Sequence, residues 1–373
     1  MLLKTFFFPC YLNILLDQSP FFFYLKRTAR TLGICLALII MSNSAGDSRV
    51  KEIRISEQKD FDDLVFPLVL SPNPEAGDKI KTAEDACKWL KSQSGSIQEK
   101  LLKHGAVFFR GFPLNDAQDF DKFVTSYGIN PLPYVGGAAV RNQITSKVFT
   151  ANEAPPDKPI PFHHEMAQVP TYPSILFFFC DVAPPSGGQT PIVLSNLVYK
   201  AMLEKYPQFI ADLEQKKIQY TRILPEADDP SSAIGRGWKS TFLTNDKAEA
   251  EKKCLEQGTS FEWLPNGCLK TVTAVLPAIK EDIRTGKKVW FNSIIAAYLG
   301  WRDSRNPPGK AVTFSDGTPM PDAIMEDLEK ILDQLAVDVT WEKGDVMLVD
   351  NNQALHARRT FTLPRRILAS LGK

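Results

Sequence analysis

The sequence has no excess of charge of either sign, since 44 lysines and arginines stand against 43 aspartates and glutamates. The lack of a basic surplus argues against a nucleic-acid surface. The signatures of nucleotide binding are missing as well, because no G-x-G-x-x-G follows a predicted strand and no P-loop is present. We therefore expect no nucleic acid as a partner of this protein.

Cysteines are few and scattered along the chain. The six cysteines form no C-x-x-C pair and no dense framework. This distribution is typical of reduced thiols in an intracellular protein and excludes a small disulfide-linked secreted domain. It favours a cytoplasmic location for the folded domain.

Residues 1–48 differ in kind from the rest of the chain. Apolar runs alternate there with Lys26, Arg27 and Arg30, and the run over residues 32–40 is shorter than the ~20 residues that span a bilayer. It has the length of a signal-peptide core, so one interpretation is a secretory or organellar targeting segment. The other is an extension upstream of an alternative start at Met41, which leaves the domain cytoplasmic. Neither places the mature domain in a membrane.

From residue 49 to residue 373 the chain is predicted to be a single domain with many short strands and peripheral helices. This pattern is typical of a mainly β, α+β jelly roll and not of a parallel α/β sheet. Strands are predicted at residues 105–112, 175–182, 190–194 and 366–371, with a hairpin over 337–349. Helices are predicted near residues 82–90, 97–103, 119–125, 197–216 (capped by Ser195 and Asn196) and 320–335.

Three of the only four histidines lie in two stretches, one around His163-His164-Glu165 and the other around His356. If the first stretch is extended, His163 and Glu165 point to one face and His164 to the other. Two histidines and a carboxylate form the facial triad of non-haem Fe(II), which leaves three coordination positions open. We interpret His163, Glu165 and His356 as such a metal site.

Other interpretations of the H-x-E triplet have to be weighed. Taken alone, the triplet also fits a surface turn. A zinc protease motif would need a histidine four residues after His164, and Gln168 stands there, so H-E-x-x-H is absent.

Two polar residues follow the two histidine stretches. Thr190 comes after the glycine-rich turn at residues 184–189, and Arg366 lies ten residues beyond His356, where it can be one strand away from it. The planar fork of an arginine binds a carboxylate through two hydrogen bonds, and the Thr190 hydroxyl could complete that site. The alternative is that Arg365 and Arg366 are ordinary surface charges.

Residues that could line a substrate pocket carry a weaker signal. Asn152 lies in a glycine- and proline-rich loop of the kind that often covers active sites. Arg236, Trp238 and Asn292 lie in the long section between the two histidine stretches, which could cover the metal and determine the choice of substrate. Single residues of these types are more often packing or surface residues.

Taken together, these motifs resemble the taurine dioxygenase (TauD/TfdA) family, and more narrowly the plant clavaminate synthase-like proteins. The resemblance covers roughly residues 50–373 and includes the H-x-E triplet, the G-G-x-T motif that ends at Thr190, and P-R-R-I-L-A-S-L after His356. It also includes Tyr-Val-Gly-Gly-Ala-Ala from Tyr134 and Ile-Gly-Arg-Gly-Trp-Lys from Ile234.

The resemblance implies a double-stranded β-helix with Fe(II), 2-oxoglutarate and O2 as cofactor and co-substrates. His163, Glu165 and His356 match the metal ligands, and Thr190 and Arg366 match the residues that hold the distal carboxylate of 2-oxoglutarate. The implied activity is oxidation, usually hydroxylation, of a small molecule with release of succinate and CO2. Two other functions remain open: a Zn(II) hydrolase with the same ligands, and a catalytically silent jelly-roll binding protein.

Overall fold

The computed structural model describes residues 47–132, 134–137, 141–151, 154–232 and 234–373. One compact unit extends from Arg49 to Lys373. Nearly all of the predicted extension over residues 1–48 lies outside the described residues, so its role as a targeting segment or an alternative start stays a prediction. No helix in the described part of the chain is both long and apolar enough to cross a membrane.

Short strands make up most of the regular structure in the compact unit. In chain order they are β1 (Val50–Glu52), β2 (Lys59–Phe61), β3 (Leu64–Phe66), β4 (Leu68–Pro72), β5 (Ala106–Phe109), β6 (Phe149–Thr150), β7 (Ile160–His163), β8 (Ile175–Val182), β9 (Ile192–Leu194), β10 (Ile218–Leu224), β11 (Ser260–Trp263), β12 (Leu269–Val272), β13 (Ile279–Asp282), β14 (Lys287–Trp290), β15 (Val312–Phe314), β16 (Val346–Asp350), β17 (Ala354–Arg358) and β18 (Arg366–Gly372).

Helices surround these strands. The described ones are α1 (Ala83–His104), α2 (Ala117–Tyr127), α3 (Ser195–Lys205), α4 (Pro207–Lys216), α5 (Trp238–Phe242), α6 (Lys247–Glu256), α7 (Ile294–Gly300) and α8 (Asp322–Leu335). The first begins with a capping box in which the Thr82 hydroxyl accepts from the Asp85 N–H and the Asp85 carboxylate accepts from the Thr82 N–H. It ends at Gly105, whose φ of 75° lies in the left-handed region that favours glycine.

A seven-stranded sheet in the order β1-β4-β5-β16-β8-β18-β6 is the largest layer. Its central strand pairs are antiparallel, and β4 and β5 are parallel. Both faces of β8 are buried, and its side chains alternate between them. Phe177 and Phe179 pack in the same cluster as α1 and α2, whereas Phe178 and Cys180 point to the opposite face. The continuous apolar run Phe177-Phe-Phe-Cys180 is therefore explained by helices on one face and a second sheet on the other.

The second sheet has three strands in the order β7-β17-β9. Ile192 and Leu194 of β9 and Ala354 of β17 share one buried cluster with Phe178 of β8 and Met347 of β16. The two sheets thus enclose a common core, and the sequence-based expectation of an α+β architecture is confirmed.

The predicted hairpin over residues 337–349 is wrong. Residues 338–341 form no strand, and β16 pairs with β5 on one side and β8 on the other. Val337 makes only an isolated bridge with Ile192 of the other sheet. The polar turn at residues 342–345 therefore connects the two sheets instead of two neighbouring strands.

The predicted helix over residues 197–216 is divided into α3 and α4. Pro207 begins the second helix, because proline is favoured at a first helical position and disrupts a helix interior. Ser195 makes no capping hydrogen bond and lies inside the first turn of α3. Its hydroxyl bonds to His164 instead, at 2.7 Å.

Candidate active site

The two histidine stretches meet on the three-stranded sheet. Strands β7 and β17 are antiparallel, and His163 lies directly opposite His356 in their register. The centroids of the two imidazole rings are 4.3 Å apart. Two histidines separated by nearly 200 positions in sequence are thus brought together by one strand pair.

Glu165 reaches the same place from a turn. The strand β7 ends at His163, so the predicted extended conformation does not continue to Glu165. Asn351 holds this turn on both sides: its side-chain oxygen accepts from the Glu165 N–H at 2.8 Å, and its amide donates to the Glu165 carbonyl at 3.0 Å. Met166, the next residue, has a φ of 58°, which is uncommon for a non-glycine residue.

His163, Glu165 and His356 each offer a ligand atom, and these atoms lie within 4.8 Å of one another. Nδ1 of His163 donates to the Pro161 carbonyl at 2.9 Å, which leaves Nε2 free to bind a metal. Nδ1 of His356 is buried without a hydrogen-bond partner among the described residues. The donor set of two imidazoles and one carboxylate fits a divalent transition metal with open coordination positions.

The electrostatics of the site favour metal binding over proton binding. Burial, and then the neighbouring His356, lowers the pKa of His163 to about 4, so its ring is neutral near pH 7. Burial alone would raise the pKa of Glu165, but the Arg141 guanidinium and the nearby His356 ring hold it well below its usual range. Both groups are therefore present in the protonation state that a metal requires.

Arg141, which the sequence analysis did not identify, lies beside the candidate metal ligands. Its Nη2 donates to Oε2 of Glu165 at 2.8 Å, and both side chains are buried. The guanidinium lies over the rings of Tyr134, at 4.2 Å, and Phe149, at 5.0 Å. An isolated arginine in a loop gives no sequence signal, because its partner is 24 residues away and not on the same element.

A cavity of about 760 Å³ opens beside these residues. His163, Glu165 and His356 line it, and so do Thr190 and Arg365. This volume falls within the range of small-molecule sites. One cavity thus contains the metal-type cluster and two groups suited to a carboxylate.

Arg366 does not reach this cavity, contrary to the expectation from sequence. It begins β18, which belongs to the large sheet, whereas His356 is on the three-stranded sheet, so the two are not on neighbouring strands. Its side chain is 56% exposed and pairs with the buried Asp181. Arg365, the residue directly before β18, lines the cavity instead.

Arg365 is held in place from two directions. Its Nε donates to the Gly188 carbonyl at 3.0 Å, and its guanidinium carbon lies 5.0 Å from the centroid of the Phe361 ring. Burial, and then the nearby Arg358, lowers the pKa of Arg365 to about 9, so the group remains charged at neutral pH. Arg358 itself donates to the carbonyls of Ala154, Pro155 and Lys158 and anchors that loop.

The three described residues predicted to line the substrate pocket are structural instead. Arg236 donates to the carbonyls of Tyr134, Gly137 and Ser240. Trp238 is buried against Trp263 in a separate cluster. Asn292 bonds to the backbone of Ala278 and Ile294. Asn152 lies outside the described residues.

His164 serves the fold and not the cluster. It is fully buried, its Nδ1 donates to the Asn351 carbonyl at 2.6 Å, and the Ser195 hydroxyl bonds to its Nε2 at 2.7 Å. Burial lowers the pKa of His164 to about 3, so the ring is neutral.

We expect His164→Ala to lower the free energy of unfolding by about 2–4 kcal/mol, since it leaves buried polar partners unpaired. The variant should still bind one equivalent of metal per folded chain. Chemical denaturation and metal analysis of the folded fraction check both points. Loss of metal from folded His164→Ala protein would mean that His164, and not His163, belongs to the cluster.

With the geometry established, comparisons with known proteins identify the family. Residues 71–371 match the taurine catabolism dioxygenase TauD, TfdA family. The chain belongs to the TauD/TfdA family of dioxygenases. A clavaminate synthase-like protein from Arabidopsis thaliana is 51% identical over 324 residues, which are 86% of this chain and 98% of that protein.

Two proteins of lower sequence identity also match this chain. The dapdiamide synthesis protein DdaC from Enterobacter agglomerans is 28% identical over 287 residues, covering 74% of this chain and 84% of that protein. A taurine dioxygenase structure from Burkholderia xenovorans has a TM-score of 0.47 at 14% identity, over 87% of this chain and 90% of that one. Family membership confirms the enzyme class predicted from the sequence, a non-haem iron, 2-oxoglutarate-dependent oxygenase.

Proposed function

We propose that this dioxygenase uses Fe(II), 2-oxoglutarate and O2 to oxidise a C–H bond of a small molecule, usually by hydroxylation. The observation that carries the proposal is that one cavity contains the His163, Glu165 and His356 cluster together with Thr190 and Arg365. A metal ion needs only the two histidines and the glutamate. A dicarboxylate that chelates the metal also needs a group such as Thr190 and Arg365 to hold its far carboxylate.

His163, Glu165 and His356 would hold the ion through two imidazole nitrogens and one carboxylate oxygen. When bound, the ion together with 2-oxoglutarate and O2 supplies the oxidising chemistry, with succinate and CO2 as co-products. The Pro161 carbonyl orients the His163 ring, and Asn351 fixes the turn that carries Glu165. Such supporting hydrogen bonds keep metal ligands in one orientation and raise metal affinity.

Arg365 and Thr190 would hold the distal carboxylate of 2-oxoglutarate. Nε1 of Trp341 donates to the Thr190 hydroxyl oxygen at 3.2 Å, so the hydroxyl hydrogen is free to point to a carboxylate. The Arg365 Nε is already bonded to the Gly188 carbonyl, and its two terminal nitrogens can bind the two carboxylate oxygens. This pair replaces the Thr190 and Arg366 pair predicted from the sequence.

The cavity wall also includes apolar side chains that would keep bulk water from the reacting groups. Phe178 lies 5.1 Å from the His356 ring, measured between centroids, and Met166 and Ile367 line the cavity with it. All three are buried. We infer that the two facing sheets form the double-stranded β-helix of the family, with the metal between them.

A turnover assay tests this function directly. The purified protein, loaded with Fe(II) under anaerobic conditions and then given O2, should convert 2-oxoglutarate to succinate, faster when the correct substrate is present. Omitting either Fe(II) or O2 should stop the reaction. Hydrolytic activity with Zn(II) that needs neither O2 nor Arg365 would replace the proposal with a zinc hydrolase.

Arg141 supplies a prediction that does not depend on turnover. We expect Arg141→Met to lower the free energy of unfolding of metal-free protein by about 3 kcal/mol, because Glu165 would become a buried charge without a partner. A divalent metal should then stabilise the variant more than it stabilises the wild type, since the ion replaces the missing counter-charge. Thermal denaturation with and without Mn(II) measures both effects.

The matched control removes the charge of Glu165. In a Glu165→Gln background, Arg141→Met should cost much less stability than in the wild type, because no buried carboxylate is left unpaired. Equal costs in the two backgrounds would show that Arg141 acts through packing on Tyr134 and Phe149 alone.

A further inference from the structure

A second, smaller cavity of about 40 Å³ lies behind the wall of the active-site cavity. Gln168 and Trp301 line both cavities and separate them. Every titratable side chain that lines the second cavity is neutral or positive, and no aspartate or glutamate is among its described lining residues. Its polar lining comes from an arginine, two glutamines, a tyrosine, a tryptophan and several threonines.

Arg222, near the middle of β10, is the charged group of this cavity. It is 6% exposed, and its guanidinium carbon lies 5.5 Å from the centroid of the Trp301 ring. The described hydrogen bond of its guanidinium is a long one, 3.4 Å from Nη2 to the Arg236 carbonyl, and Nε is buried without a partner. Burial, and then the charge of Arg236, lowers the pKa of Arg222 to about 10, so it stays protonated near pH 7.

The surroundings of Arg222 do not neutralise it. Arg236 is a second buried positive charge, and its own hydrogen bonds go to neutral carbonyls. The carboxylate that acts on Arg222 is Asp303, and it already pairs with Arg305 at 2.6 Å. A buried cation without a counter-charge costs several kcal/mol, so a bound anion would stabilise the fold.

The cavity offers the right donors and the right size for such an anion. Thr241 lines it, and the Thr241 hydroxyl is buried without a hydrogen-bond partner among the described residues. A single water occupies roughly 10–15 Å³ on this scale, so a cavity of about 40 Å³ admits one monatomic anion, with at most a water or two beside it. A dicarboxylate or a nucleotide is too large.

We propose that this second cavity is a binding site for a small monovalent inorganic anion of the chloride class, held by the Arg222 guanidinium and the Thr241 hydroxyl. The site is separate from the oxidation chemistry and does not rest on the proposed function. Its anion would supply a counter-charge to Arg222, reduce the repulsion between Arg222 and Arg236, and stabilise the wall formed by Gln168 and Trp301.

Bromide provides the direct test, because its anomalous X-ray scattering locates it. Crystals of the full chain soaked in sodium bromide should show an anomalous peak within hydrogen-bond distance of Arg222. In solution, the Tm of metal-free wild-type protein should rise by about 2 °C or more with sodium chloride, relative to sodium gluconate at equal ionic strength, and then level off. Arg222→Met should lose this halide-specific rise.

Two further variants keep the test decisive if Arg222→Met does not fold. Thr241→Val keeps the cation but removes the orphan hydroxyl, and it should need several-fold more chloride for the same rise in Tm. Arg359→Met, at an arginine that pairs with Asp333 and Asp338 and does not line this cavity, should lose stability equally in chloride and gluconate. No bromide peak in the cavity, or equal Tm values of the wild type in the two salts, would overturn the proposal and leave a water-filled cavity.

Discussion

His356→Ala is expected to lower the rate of 2-oxoglutarate turnover by more than about 100-fold. Mutation of residues that only support metal ligands already lowers metal affinity or activity by about 10–100-fold, and the loss of a ligand should cost more. His356 faces His163 across β17 and β7, and its Nε2 lies 3.7 Å from Oε2 of Glu165. No other described histidine is placed to replace it, since His164 is bonded into the core. Succinate formation under saturating Fe(II) measures the loss.

His104 provides the matched control. It is a buried histidine at the end of α1, and its Nδ1 bonds to the Val65 carbonyl at 2.7 Å, outside the active-site cavity. His104→Ala should lose stability but keep turnover per folded chain. Full activity of His356→Ala, or equal losses in the two variants, would contradict the assigned metal cluster.

Arg365→Met should raise the apparent KM for 2-oxoglutarate by at least about 30-fold, since removing one partner of a buried charge pair costs 2–5 kcal/mol. The arginine lines the cavity with Thr190, and we propose that its terminal nitrogens bind the distal carboxylate. Iron binding should remain, because Arg365 is not a ligand. Initial rates at varied 2-oxoglutarate, together with an iron titration, separate the two effects.

Arg366→Met, at the neighbouring position, is the matched control for this prediction. Arg366 is more than half exposed and pairs with Asp181, so its loss should reduce stability and leave the KM for 2-oxoglutarate within about twofold. The reverse result, with a raised KM in Arg366→Met and a normal KM in Arg365→Met, would restore the assignment made from sequence.

The sequence predicts the fold well where local patterns decide it. The apolar run at Phe177–Cys180 identifies a central strand. The helical spacing of apolar residues identifies both ends of α1 and the whole of α8. Prediction from sequence fails where the fold depends on pairing between strands that are far apart in sequence. Residues 337–349 have the pattern of a hairpin, but β16 finds better partners in β5 and β8, which are far away in sequence. Pro207 divides the predicted long helix, which a breaker rule could have indicated.

The candidate site shows the same division. His163, Glu165 and His356 can be selected from sequence because histidine is so scarce and because the accompanying motifs resemble those of the TauD/TfdA family. The choice between Arg365 and Arg366 cannot be made from sequence, since a shift of one residue in strand register turns a side chain to the other face of the sheet. That register depends on the pairing of β18 with β8, which shifts between Arg366 and Ile367. Arg141 and Arg222 carry no local signal and become meaningful only through their three-dimensional neighbours.

The most direct test of the central claim is an anaerobic titration of Fe(II)-loaded protein with 2-oxoglutarate, followed by the weak visible absorption of the iron–keto acid complex. A saturable band that is absent in His163→Ala and needs much more 2-oxoglutarate in Arg365→Met is the predicted result. Bound iron without any band at saturating 2-oxoglutarate would contradict the account and remove 2-oxoglutarate from the site.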